Sequence, residues 1–129
     1  MWAILAGSGL RLGEALGLAW DDLDLDEGTV TVRRSWAKTG ERTWGVSVPK
    51  TQRSRRVVPL PPRVVAALRD LRSHQDLECV AAGDRWQRYP EGQPVFTDEY
   101  GRRPDPTRIN AAFRRSLGEA ELPTTRIHD

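Results

Sequence analysis

Cysteine is almost missing from this chain: among 129 residues, Cys79 stands alone. An internal disulfide is thereby excluded, and so is a cysteine-rich zinc site. Histidine occurs only as His74 and His128. Neither has a second His or Cys at metal-ligand spacing, so no metal and no cofactor is expected. No apolar run approaches the ~18 residues that a membrane span needs. Met1 to Ala6 is apolar, but it is far too short for a signal peptide and no basic region precedes it. A reducing cytoplasm is the expected home. Lysine is scarce as well. Of twenty basic residues, only Lys38 and Lys50 are not arginine.

What is present is polar and globular. Apolar residues make up 38% and charged residues 29%, which is too much apolar content for a disordered chain. The length suits one domain or a piece of one. The net charge of +2 hides an uneven distribution. The stretch from Met1 to Val32 carries one base, Arg11, against six acids, whereas Arg33 to Arg72 carries eleven bases against two acids. A basic block of this kind, built from bidentate phosphate-binding arginines, points to a polyanion. A solvated face in an arginine-rich composition is the alternative, and composition alone leans slightly toward it.

Periodicity predicts a mixed α+β fold, mainly helical with a small three-stranded antiparallel sheet. After a break at Gly7-Ser8-Gly9, Leu12, Ala15, Leu16 and Ala19 recur at helical spacing across Leu10–Trp20. An acidic turn over Asp21–Gly28 follows. Three runs then read as strands: Thr29–Trp36, Thr43–Val48 and Arg56–Leu60. Their adjacency predicts a meander. Pro61-Pro62 opens a helix with Val64, Leu68 and Leu71 on one face, running toward Val80. Val95–Thr97 reads as a short strand. Asp105-Pro106 starts a last helix, with Ile109, Ala112, Phe113 and Leu117 facing inward.

Three segments carry candidate chemistry. Gly7 to Gly13 superficially suggests a nucleotide loop, but its third glycine falls one place late and no Gly-Lys-Ser/Thr follows. Arg11 and Glu14 are three apart and share a helix face. They make either a phosphate clamp steadied by Glu14 or an exposed ion pair. Lys50-Thr51-Gln52-Arg53-Ser54-Arg55-Arg56 joins two strands and suits either a nucleic-acid backbone or a solvated turn. Lys50 can give up a proton, which arginine cannot. Tyr89 and Tyr100 fall in polar loops, and no Ser or Cys nucleophile pattern appears.

Together these segments resemble the catalytic domain of the tyrosine recombinases, the phage-integrase family. Gly9-Leu10-Arg11-Leu12-Gly13-Glu14 is similar to the family's "TGLRxGE", and Ala15 to Asp24 continues it as "LLGLxWxDVD". Pro49-Lys50-Thr51 with Ser54 to Leu60 resembles "PKTxxSxRxVPL". Val95-Phe96-Thr97 with Gly101 resembles "VFTxxxG", and Arg126 to Asp129 resembles the opening of "xxHDLRHT". The resemblance covers essentially the whole chain, residues 1–129, as one partial catalytic domain.

The resemblance implies site-specific DNA cutting and rejoining through a phosphotyrosyl intermediate, for integration or excision of mobile DNA. It implies double-stranded DNA as the partner, a tetramer on paired sites, and a bacterial or phage-encoded, nucleoid-associated protein. Arg11 would be the first phosphate-gripping arginine, with Glu14 its supporting acid. Lys50 would protonate the departing 5′-oxygen, and His128 would begin the histidine box. Arg53, Arg55 and Arg56 would hold DNA. The second arginine and the nucleophilic tyrosine would follow His128, beyond Asp129, so this stretch alone is expected to be inactive in strand cleavage and of marginal stability. A non-enzymatic DNA-binding remnant and a small α+β interaction module are the alternatives.

Overall fold

The structure is a computed structural model that describes residues 7–41, 43–47 and 55–119. A short helix α1 (Leu12–Leu16) is followed by a 3-10 turn at Trp20–Asp22. Strands β1 (Leu23–Asp24), β2 (Thr29–Val32), β3 (Ser35–Lys38), β4 (Trp44–Ser47) and β5 (Arg56–Pro59) come next, then the long helix α2 (Pro62–Ala82), and α3 (Pro106–Glu119) closes the order. The mixed α+β class is as the sequence predicts, and the sheet topology is not. The three-stranded sheet has the order β1-β2-β5, while β3 and β4 form a separate hairpin. In the register, Thr29 faces Pro59 and Val32 faces Arg56.

The break in the expected Thr29–Trp36 strand has a physical cause in Arg33 and Arg34. Both turn toward Asp22, at 3.5 Å and 3.4 Å. Asp22 is buried, and it also accepts the Ala19 backbone N–H. The chain therefore leaves the sheet after Val32, and β3 starts in a new direction, against α1.

That contact explains two glycines. A Cβ on Gly13 would meet Ser35 Oγ at 2.7 Å and the Trp36 carbonyl at 3.0 Å. A Cβ on Gly17 would meet backbone atoms of Trp36, Arg34 and Ser35 at 3.0 to 3.1 Å. The two glycines lie four apart, on one face of the helix, so α1 rests directly on the β3 backbone. The helix is also shorter than its periodicity predicts. Gly17 is its C-cap, and Ala19 is extended and bridges Pro94. Two hydrogen bonds flank that bridge, Trp20 N–H to the Gln93 carbonyl and Val95 N–H to the Leu18 carbonyl. The predicted strand at Val95–Thr97 is reduced to this one bridge. Buried Gln75 of α2 donates through its amide to the Pro94 and Val95 carbonyls and to Thr97 Oγ1, replacing a ladder. Its oxygen accepts Trp20 Nε1–H at 2.7 Å.

The core lies between α1, the inner face of the sheet and α2. Leu12, Leu16, Val30, Val32, Leu60, Val64 and Leu68 fill it, with Val95 and Phe96 closing one side. The Val64 and Leu68 stripe behaves as predicted, and Asp105 Oδ1 caps α3 by accepting Thr107 N–H. Ile109 packs on the core, whereas the side chains of Phe113 and Leu117 lie outside the described set. Among the described residues, no helix is long and apolar enough to cross a membrane.

Gly17→Ala is expected to destabilise the fold by about 1–3 kcal/mol, because the new methyl meets backbone rather than a side chain that can swing away. Chemical denaturation measures it. An unchanged midpoint would show that α1 does not sit on the hairpin.

Candidate active site

Arg11 is set by its neighbours. Leu10 and Leu12 are both buried, so the residue between them points outward. Its backbone is extended, with φ −70° and ψ 153°, and it immediately precedes α1. Gly9, at φ +68°, supplies the left-handed turn that brings the chain there. Among the described residues, the Arg11 guanidinium has no hydrogen bond or ion pair, while its backbone N–H donates to Glu14 Oε2 at 3.1 Å.

Glu14 is therefore bound to Arg11 through the main chain, and its carboxylate is shared with Arg56. Arg56 Nη1 and Nη2 donate to Oε1 and Oε2, both at 2.8 Å. This is the parallel fork that planar guanidinium and carboxylate groups form best. Hydrogen bonding to Arg56 is the largest cause holding the Glu14 carboxyl below the usual carboxylate range, with burial opposing it. The same bond pushes Arg56 up. The fork joins the first residue of β5 to the first turn of α1 across 42 positions of sequence.

The candidate residues separate accordingly. Arg11 and Glu14 lie together through the Arg11 main chain and not through a shared helix face, since Arg11 precedes α1 and its guanidinium does not pair with Glu14. Arg56, expected beside Arg53 and Arg55 on DNA, gives its guanidinium to Glu14 instead, and Arg55 is exposed. Lys50, Arg53 and His128 lie outside the described residues. No group of three or more His, Cys, Asp or Glu among the described residues could hold a metal. His74 is exposed and pairs with Glu78 at 2.7 Å.

The sequence reading missed Arg103. Its side chain is 1% exposed. It donates to the Leu16 carbonyl, at the C-terminal end of α1, and to Glu91 Oε1. It lies over the Trp36 and Tyr89 rings at 5.3 Å and 5.2 Å. Its backbone N–H donates to the Tyr89 hydroxyl. Burial lowers its pKa, against the pull of Glu91. Nothing local distinguishes it from Arg102, which is exposed and paired with Asp98. A concavity of about 590 Å³ lies elsewhere, around Asp21, Asp26, Thr31, Arg33 and Arg69. Its charges are largely spent on each other, Arg69 on Asp26 and Arg33 on Asp22.

The sequence model of the phage integrase family matches residues 1–129. A tyrosine recombinase XerC-like protein of Caldanaerobacter subterraneus subsp. tengcongensis is 30% identical over 99% of this chain and 35% of its own length. An integrase of Mycobacterium phage D29 is 32% identical over 98% of this chain and 32% of its own. The chain thus spans about a third of the length of these curated relatives. Among solved structures, the Tn1549 transposon integrase in complex with transposon right end DNA superposes with a TM-score of 0.80 at 22% identity, covering 98% of this chain and 41% of that one. The XerA recombinase gives 0.59 at 22% identity, covering 98% and 36%.

The fork makes stability depend on acid. The folded pKa of Glu14 lies below its unfolded value. Its contribution is therefore complete above the ordinary carboxylate range and is lost as pH falls through the folded pKa. Glu14→Gln is expected to cost about 1 kcal/mol near neutral pH, since Arg56 is half exposed, and to converge with the wild type in acid. Denaturation midpoints across pH check this; a gap independent of pH would contradict it.

Proposed function

The chain belongs to the phage integrase family, and from that premise we propose that it forms the phosphate-gripping part of a site-specific DNA recombinase catalytic domain. The observation that carries the reading is the division of labour around Glu14. One arginine, Arg56, neutralises the carboxylate, which leaves the Arg11 guanidinium unpaired among the described residues and facing solvent. A cation held at its backbone and free at its tip is suited to a phosphate diester.

The chemistry follows from the charges. When a nucleophile attacks phosphorus, negative charge builds on the non-bridging oxygens, and a fixed guanidinium stabilises it without reorganising. Arg11 takes that role. The leaving 5′-oxygen needs a proton, and Lys50 is the acid of suitable type. His128 would join the grip on the phosphate. Arg53 and Arg55 would contact the DNA backbone on either side, and Arg56 supports this surface through Glu14.

The attacking group should be a tyrosine, and neither tyrosine of this chain suits the part. The Tyr89 hydroxyl accepts the Arg103 backbone N–H, and its ring lies against the Arg103 guanidinium. The Tyr100 ring contacts both Arg85 and Arg102. Cleavage would thus use a tyrosine from the rest of the recombinase, and this stretch alone would bind double-stranded DNA without cutting it. Transfer between two DNA sites would call for a tetramer. DNA as substrate places the action at the nucleoid, in the cytoplasm.

Duplex binding by the chain is expected to be weak and tolerant of sequence, with log affinity falling linearly as log salt rises. Fluorescence anisotropy over a salt series tests it, and an affinity indifferent to salt would overturn the reading. In the recombinase containing this segment, Arg11→Ala and Lys50→Ala are each expected to remove recombination and spare most DNA binding. Recombination at the wild-type rate in either variant would remove that residue from the site.

A further inference from the structure

Arg103 raises a question that folding alone does not answer. Its side chain is buried to 1% exposure, and its Nε has no hydrogen-bond partner among the described residues. A buried guanidinium with an unmet donor is costly. An apolar side chain of similar volume would fill the space without that penalty. What the guanidinium provides, and an apolar chain cannot, is a set of directed contacts. One nitrogen holds the Leu16 carbonyl, one of the unpaired acceptors at the end of α1. Another reaches Glu91. The plane between them lies over Trp36 of β3 and over Tyr89. Trp36 belongs to the backbone stretch on which Gly13 and Gly17 rest.

Helix α1 has five residues, so at 1.5 Å per residue it is roughly 7 Å long. A body that short has no give between its ends. Any tilt at Leu16 reappears at Arg11, on the other end. The fork from Arg56 holds the first turn, and Arg103 holds the last carbonyl and the hairpin beneath. We propose that Arg103 is a positioning residue, whose guanidinium locks the C-terminal end of α1 onto the β3 hairpin and thereby aims Arg11 at the DNA phosphate. The proposal rests on the reading of Arg11 as a phosphate ligand.

The test is a thermodynamic cycle on the 129-residue chain. Binding to a short fluorescent duplex is measured across salt for the wild type, Arg11→Ala, Arg103→Met, Arg103→Lys and each double variant. All are compared well below their own unfolding temperatures. Arg11→Ala is expected to weaken binding about fivefold and to lower the salt slope by about one. Arg103→Met and Arg103→Lys should each do the same, although neither removes a group that can touch DNA. In the Arg11→Ala background, neither should weaken binding further. Lysine can hold the Leu16 carbonyl but has no plane to stack, so it carries the test if the methionine variant fails to fold. Losses that multiply instead of saturating would overturn the proposal, as would wild-type binding by Arg103→Lys. A wild-type chain that binds no duplex at low salt would overturn the DNA reading itself, and this proposal with it.

Discussion

Everything around the candidate site depends on one ion pair, the fork between Glu14 and Arg56. It is the place where the helix that presents Arg11 is tied to the sheet. Without a partner, the Glu14 carboxylate would sit in a half-buried position three residues from Arg11 and would draw that guanidinium to itself. With Arg56 on both oxygens at 2.8 Å, the carboxylate is satisfied, and what remains of its bonding goes to the Arg11 main chain. The negative charge therefore fixes the backbone of Arg11 without consuming its side chain. Fork geometry makes this possible; a lysine at 56 could meet one oxygen well and not two.

A second layer of buried polar contacts gives the small core its shape. Apolar packing of Leu12, Leu16, Val30, Val64 and Leu68 supplies cohesion but no direction. Direction comes from Gln75, Asp22 and Arg103, each buried and each joining segments far apart in sequence. Gln75 ties α2 to Trp20 and to the 94–97 segment. Asp22 turns the chain out of the sheet through Arg33 and Arg34. Arg103 binds α1, the hairpin and the 89–91 loop. Leaving such groups unpaired in the interior is costly, so these contacts discriminate strongly between this arrangement and near alternatives.

The charge asymmetry also acquires a meaning. Three of the six acids before Val32 are paired with arginines, in the Asp22 cluster, the Asp26–Arg69 pair and the Glu14 fork. Several arginines of the basic block are likewise spent, Arg33, Arg34, Arg56 and Arg69 among them. A tally of bases therefore overstates what is available to a polyanion. Among the described residues, fewer cations are free of internal partners than the count of bases suggests.

Local pattern was enough for the helices α2 and α3, the β2 and β5 strands and the Asp105 cap, because each rests on spacing within a few residues. The ordered motifs also sufficed for the family. Local pattern could not locate the end of the first strand, since Arg33 and Arg34 leave the sheet for an aspartate eleven and twelve positions earlier. It could not separate Arg56 from Arg55, or Arg103 from Arg102, because adjacent arginines look alike until their partners are known. The sequence by itself determined which groups are candidates for the chemistry: an arginine at the start of a helical stretch, an acid three residues on, and a lysine between strands. Only the tertiary structure decided which of the described arginines are spent on the fold and that the Arg11 guanidinium is not among them, because a guanidinium's availability depends on the carboxylate or carbonyl that the rest of the chain brings to it.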